Sequence, residues 1–351
     1  MKVDIFIPRL DIPFKKSQIP QERSSIPPLR LNWKQFCTHL YNAYRKKDHE
    51  VRMIEVPLWK ITETTVSDIS KEADIIYIPH KMKLNWQLDD RIRYYMQMVI
   101  PNIFSIDSEG WCASSSSWPI DLESWKESVE TPNIFSHLES RVKKNISKFQ
   151  QPSVSKHKLP EKFILFPCQI PHDETIRFHS DISVEDSLRA LLASLQHFSD
   201  YSLVIKGHPA NEAAMSSLKN IYMAAKRDPR TPISSKIFWI DNISIHQLLS
   251  CCSAVFTVNS GVGLEALLHS KKVYTFGNAD YSSVSTKIMF GGSINNAALA
   301  IASEIQQLDS CSDFSSHNLR VQKFVNSWYY SHYDCTKPQM FDREVNAANG
   351  Q

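Results

Sequence analysis

Four short stretches of this chain gather residues able to do chemistry. In "CQIPHDETIRFHSD" (168–181), Gln169, Asp173, Glu174 and Asp181 follow an apolar run. A carboxylate placed there can serve as a nucleophile or a base. In "IKGHP" (205–209), Lys206, His208 and Pro209 close another apolar run, and an imidazole held by the following proline can donate to an anion. "VNSGVGLEALL" (258–268) reads as a strand end, a tight turn and a helix start. Its Gly261 and Gly263 let the backbone approach a bound group, its first amides can face an anion, and Asn259 and Ser260 add side-chain donors. Glu265, in the first helical turn, is placed either for a ribose hydroxyl or for the helix dipole. "IDSEGW" (106–111) offers Asp107 and Glu109 as a general acid or base.

Each stretch also has a plainer reading. Loop carboxylates are usually solvated, a loop histidine can face water, and glycines in a strand–helix turn can serve packing alone. Several chemistries are disfavoured outright. No Gly-Lys-Ser/Thr follows the 258–263 turn, and it lacks the third glycine of a dinucleotide fingerprint. No Gly-x-Ser-x-Gly elbow occurs. "DSE" is not an Asp-x-Asp metal signature, and no His/Cys cluster has ligand spacing, so neither a metal nor a resident cofactor is expected.

Elements that must position these residues are legible as short apolar runs alternating with amphipathic stretches. Runs at 3–8, 51–56, 73–79 and 102–107 read as buried strands, and 32–47 has helical spacing. The proline-rich Pro13–Pro28 insertion reads as a surface loop. A second series has strands at 162–169, 202–209, 236–241, 254–259 and 272–277. Its 183–198 helix opens on Ser183 as N-cap, and 318–333 also reads as helical. Between the two series, "RVKKNISKFQQPSVSKHKLPEK" (141–162) is basic and proline-punctuated. The expected fold is therefore α/β: two Rossmann-like domains facing a cleft, with ligands at the carboxyl ends of the strands. The expected boundaries are 1–145, a linker at 146–161, 162–312, and a helical tail at 313–351 that crosses back to the first domain.

Composition narrows the class. A chain of 351 residues with 42% hydrophobic and 22% charged residues has a globular profile, and a net charge of +3 is too small to point to nucleic acid. No apolar stretch is long enough to span a bilayer, and the N-terminus lacks a signal-peptide core, which leads to an expectation of a cytoplasmic protein. The seven cysteines show no CxxC spacing and read as reduced thiols. Arg141, Lys143, Lys144, Lys148, Lys156 and Lys158 either form a solvated basic linker or attract anionic headgroups, giving peripheral association at the inner face of the membrane.

Taken in order, "QIPHDETI" (169–176), "LVIKGHP" (203–209) and "FTVNSGVGLEALLHSKKVYTFGNADY" (256–281) resemble the bacterial capsule polysaccharide biosynthesis family, which includes retaining β-Kdo transferases that use CMP-Kdo. That resemblance implies a metal-independent GT-B glycosyltransferase with the nucleotide sugar held mainly by the second domain. It implies His208, Asn259, Ser260 and the amides of Gly261 and Gly263 at the CMP phosphate, and Asp173 as the residue that forms a covalent sugar adduct. Gln169 and Lys206 fall on the substrate side. The family's first-domain acid/base is a glutamate near a Gly-aromatic pair; "SEGW" puts Ser108 where the family often has it, so the acid/base falls to Glu109 in preference to Asp107 on its other side. The implied partners are a nucleotide-sugar donor and a saccharide or lipid-linked saccharide acceptor in capsule or lipopolysaccharide synthesis. Transfer of sialic or another nonulosonic acid, a UDP-sugar donor, a sugar-nucleotide epimerase, and a non-catalytic nucleotide- or glycan-binding partner are the alternatives.

Overall fold

The computed structural model describes residues 1–8, 28–57, 61, 63–79, 89–124, 133–153, 158–198, 200–209, 213–228, 233–308 and 314–350. The Pro13–Pro28 loop reading lies outside these residues, except Pro28, which begins a helix. The chain divides into two units, Met1–Trp118 with Tyr329–Gln351, and Pro119–Trp328.

In the first unit β1 (Lys2–Pro8), α1 (Pro28–Arg45), β2 (Glu50–Val56), α2 (Glu63–Ile69), β3 (Ile75–Pro79), β4 (Ile92–Gln97) and β5 (Ile103–Asp107) follow one another. Strands β2, β1, β3 and β4 lie side by side and parallel. Phe36 of α1 stacks on Tyr95 and Phe104, covering one face of the sheet with aromatic surface. The opposite face buries Phe6, Ile76, Ile78 and Tyr94 with Val66 of α2.

Strand β5 departs from the expected all-parallel arrangement. It runs antiparallel to β4, with Tyr94 opposite Asp107 and Gln97 opposite Phe104. Its carboxyl end therefore points toward the amino ends of β3 and β4, not toward their carboxyl ends. The cause is the short 98–102 connection, which allows only a hairpin-like return, whereas a parallel neighbour needs a crossover of a dozen residues or so.

In the second unit α3 (Phe135–Lys143) precedes β6 (Phe163–Pro167), α4 (Glu174–His179), α5 (Val184–Ser194), β7 (Ser202–Lys206), α6 (Ser216–Arg227), β8 (Ile237–Ile240), α7 (Ile245–Cys251), β9 (Ala254–Thr257), α8 (Val262–Leu268), β10 (Lys272–Thr275), β11 (Thr286–Lys287) and α9 (Ile294–Gln306). All six strands are parallel, in the order β11-β10-β9-β6-β7-β8. Strands such as "FILFP" and "AVFT" are buried at every position, as continuous apolar runs demand when helices cover both faces. Ser183 caps α5 as its sequence announces, accepting from the Asp186 amide at 3.0 Å.

Residues 146–161 are not the divide between the units; the chain changes unit after Trp118. The reason is local anchoring. The Ser244 hydroxyl donates to Asn145, the Ile245 amide donates to Gln151 at 2.9 Å, and the His246 ring meets the Ile146 carbonyl at 3.2 Å. Helix α10 (Phe314–Ser331) occupies the first half of the expected 313–351 helical tail, and the chain then rejoins the first unit. There β12 (Tyr333–Asp334) pairs antiparallel with β5, and α11 (Asp342–Ala348) presents Glu344 to the Tyr77 and Tyr333 hydroxyls. Among the described cysteines all six are free, and only Cys251 is exposed. Among the described residues no helix is long and apolar enough to cross a membrane.

Candidate functional site

The strand order of the second unit changes direction between β6 and β9: successive strands are laid down from β6 through β7 to β8, then from β9 through β10 to β11 on the other side. Open α/β sheets bind ligands beyond the carboxyl ends of the strands at such a point. Gln169 follows β6 and Asn259 follows β9, so both stand at it. The Gln169 amide donates to the Asn259 side chain at 2.9 Å, and its carbonyl oxygen accepts from the Asn259 backbone amide at 2.9 Å. Asn259 also donates to the Thr175 carbonyl at 2.8 Å, and both side chains are buried. Together they tie β6, β9 and α4 into one floor. Asn259 is thus a strut, and its side-chain donor is spent on protein rather than offered to a phosphate.

The turn after β9 differs from the expected anion seat in a similar way. The Ser260 amide donates to Thr257, the Val262 amide to the Ser260 hydroxyl oxygen, and the Gly263 amide to the Ser260 carbonyl. Gly261 keeps the amide of this turn that has no hydrogen bond among the described residues, and the Ser260 hydroxyl hydrogen is left to donate. Gly263 answers a packing demand. A Cβ there would lie 2.2 Å from the Tyr281 ring, whose hydroxyl donates to the Ser260 carbonyl. Gly207 and Gly277 are likewise set by close neighbours, Asp241 and the His179 carbonyl.

Asp173 is the N-cap of α4. Thr175 gives it two hydrogen bonds, from the amide at 2.9 Å and the hydroxyl at 2.7 Å, both to Oδ1. Its charge acts on two neighbours, His208 and Lys148. Burial pulls the His208 imidazole below its usual range, helped by Lys206 and Lys148 and opposed by Asp173, so the ring is neutral near pH 7. Burial lowers the Lys148 ammonium to about 8, against the pull of Asp173. The Phe149 ring meets His208 edge-on, with centroids 5.3 Å apart. The structure thus brings Asp173, His208, Lys148 and Phe149 together beside the Gln169–Asn259 floor. Pro209 is exposed just beyond His208.

Lys206 is corrected from a substrate-side residue to an internal brace. It is buried, and its ammonium donates to the carbonyls of Asp241 at 2.7 Å and Gly207 at 3.3 Å. Glu265 is 1% exposed and turned inward. It hydrogen-bonds Ser147, and burial raises its carboxyl to about 8. His246 Nε2 lies 3.7 Å from it and is itself pushed down to about 4 by burial. Both groups are neutral near pH 7, so this contact is not an ion pair. A ribose contact requires Glu265 to leave these neighbours.

In the first unit the expected acid/base pair does not project with the carboxyl ends of the parallel strands, because β5 is reversed. Asp107 is committed as well. It accepts from the amides of Glu109 at 2.7 Å, Gly110 at 3.1 Å and Ser116 at 3.0 Å, and from the hydroxyls of Ser115 and Ser116 at 2.8 Å each. It is the hub of the 107–117 loop. Gly110 is buried there at φ +153°, a backbone state open to glycine and poorly to other residues.

Phe149, Thr175 and Tyr281 are neighbours of this cluster that the sequence reading did not single out, and Lys148 was read only as part of the basic linker. The usable signal was an aromatic residue inside the supposed linker, in "SKFQQ", since a solvated linker has no need of one. Of the other basic residues assigned there, Lys143 pairs with Glu139 at 2.7 Å, and Lys156 lies outside the described residues.

Two Rossmann-like α/β units in one chain are the domain content of the GT-B class. Residues 133–285 match the family described as capsule polysaccharide biosynthesis protein, and the three motifs that carry the resemblance lie within that match. Curated relatives include the capsule polysaccharide modification protein LipB of Neisseria meningitidis, 27% identical over 34% of this chain and 29% of that protein. The capsule polysaccharide export protein KpsS of Escherichia coli is 28% identical over 36% of this chain and 32% of its own length. The matched stretch therefore spans about a third of these relatives. Among solved structures, Thermosulfurimonas dismutans KpsC, beta Kdo 2,7 transferase, aligns with a TM-score of 0.49 at 16% identity, over 76% of this chain and 86% of that one.

Proposed function

We propose that the protein is a glycosyltransferase of capsule or lipopolysaccharide synthesis that binds CMP-Kdo in its second unit and transfers Kdo, with retention, to a saccharide or lipid-linked saccharide acceptor. The observation that carries this reading is the convergence of Asp173 and His208 beside the Gln169–Asn259 floor, at the point where the strand order reverses. His208, the Ser260 hydroxyl and the Gly261 amide are the donors for the departing CMP phosphate. Such preorganised donors stabilise charge that develops as the glycosidic C–O bond breaks. Asp173 then forms a C–O bond to the anomeric carbon. Attack by the acceptor hydroxyl, with loss of its proton, expels the aspartate, and two inversions give net retention. Asp107 takes no part in this scheme, because its oxygens are engaged in the loop.

Incubation with CMP-Kdo followed by intact-mass measurement tests the reading: a Kdo-sized mass gain that is absent in Asp173→Ala is expected. Thermal shift with CMP, UDP and GDP tests the donor, with CMP giving the largest rise in Tm. The commitment of Asp107 favours one second reading, a nucleotide-binding partner in an assembly complex. Its signature is nucleotide binding without adduct or turnover.

A further inference from the structure

The segment 145–151 is anchored to other parts of the second unit at most of its positions. Asn145 accepts from the Ser244 hydroxyl and donates to the Pro152 carbonyl at 3.0 Å. Ile146 meets His246, Ser147 hydrogen-bonds Glu265, Phe149 packs on His208, and Gln151 accepts from the Ile245 amide at 2.9 Å. Lys148 lies in the middle of this series, half-buried, where Asp173 acts on it from the start of α4 and it acts on His208 from beyond β7. The backbone that carries this side chain is thereby anchored on both sides. A cation beside a carboxylate and a neutral histidine, at the reversal point of the sheet, is placed to receive an oxyanion.

We propose that Lys148 is an anion-recognition residue of this site, whose ammonium binds an acidic group of the donor, a phosphate or a sugar carboxylate, and whose position is fixed by Phe149 and by the anchored 145–151 segment. The inference rests on the nucleotide-sugar reading for the identity of the donor. The charged groups that act on Lys148 and on its neighbour His208 include Asp173 on α4, and Lys206 acts on His208 as well.

The test is isothermal titration of the full chain and of Lys148→Met and Lys148→Arg with CMP, UDP, free Kdo and inorganic phosphate between pH 7 and 9. At pH 7 the Met variant is expected to bind at least about tenfold more weakly than wild type, while the Arg variant stays close to wild type. Wild-type affinity should fall as pH rises through about 8, where the ammonium discharges, and both variants should be flat over that range. A merely structural lysine does not produce that pH profile. Should Lys148→Met fail to fold, the contrast between wild type and Lys148→Arg carries the test. Weakened CMP binding assigns the phosphate, and weakening confined to free Kdo assigns the carboxylate. Lys148-dependent binding of UDP in place of CMP removes the proposed donor and leaves the lysine standing. Equal affinity of wild type and Lys148→Met for every probe, or no binding of any probe by wild type, overturns the inference.

Discussion

Asp107 and Asp173 look alike in sequence: each follows an apolar run and each opens a short polar turn. In the structure they do opposite work. Asp107 gathers three amides and two hydroxyls around both oxygens. Asp173 takes two hydrogen bonds on Oδ1 alone, and its charge reaches Lys148 and His208. A carboxylate saturated by donors is an organiser. One that caps a helix with a single oxygen keeps the other for chemistry. The strands behind them explain the contrast: β6 stands at the reversal point of an all-parallel sheet, whereas β5 runs antiparallel to β4 and lies two strands away from the β1–β3 reversal of its own sheet.

The largest effect that separates the two falls on activity. Asp173→Ala is expected to lower transfer by at least about a thousandfold, the scale of losing a nucleophile. Its loss of the α4 cap should cost about 1 kcal/mol of stability. Asp173→Asn keeps an oxygen to accept from Thr175, so it should restore most of the Tm and none of the activity. Steady-state rates beside thermal unfolding of both variants make the check. Recovery of transfer in Asp173→Asn breaks the assignment.

Asp107→Ala should show the reverse pattern. Removing the acceptor of several loop donors is expected to cost about 2–3 kcal/mol in chemical denaturation, with transfer per folded molecule kept within a few-fold of wild type. A large loss of transfer at unchanged stability would return Asp107 to the chemistry. Next in size comes Gly263→Ala, whose Cβ overlaps Tyr281 and should cost about 1–3 kcal/mol. Pairing it with Tyr281→Ala should relieve part of that cost. An unrelieved loss in the double variant means the turn needs this glycine for another reason.

The same contrast shows what the sequence could and could not announce. Strands β6, β7, β9 and β10 were legible because burial on both faces leaves unbroken apolar runs. Strand β4 was not, because "IRYYMQ" carries Arg93 and Gln97 among its aromatics and resembles neither an alternating nor a continuous pattern. The direction of β5 was hidden as well, since an apolar pentapeptide does not encode which way it runs. The apolar runs announced which residues stand at the ends of β6, β7 and β9, but not what each one touches. That Asn259 is a strut depends on Gln169, 90 residues away, and no local pattern carries it. Lys148 was read as part of a basic linker, either solvated or facing anionic headgroups, because the partners that anchor its neighbours Asn145, Ile146 and Gln151 are Ser244, His246 and Ile245, about a hundred residues later.

Glu265 provides the smallest effect and the cleanest sign. Its carboxyl is raised to about 8 in the folded chain, above the ordinary value near 4.5. Between those two pH values the unfolded chain has lost the proton that the folded chain retains. Stability therefore falls as pH rises through this window, and levels off above about 8. His246 and His269, lowered to about 4, act in the other direction, but only below about 6.5. From pH 7 to pH 8 Glu265 should thus remove about 1 kcal/mol with the histidines silent. Glu265→Gln keeps the shape without the titration. Its Tm should decline less than that of wild type over this interval, and the two curves should converge toward pH 5. Parallel curves would mean that Glu265 is already ionised at neutral pH, and that its contact with His246 at 3.7 Å is a charged one after all.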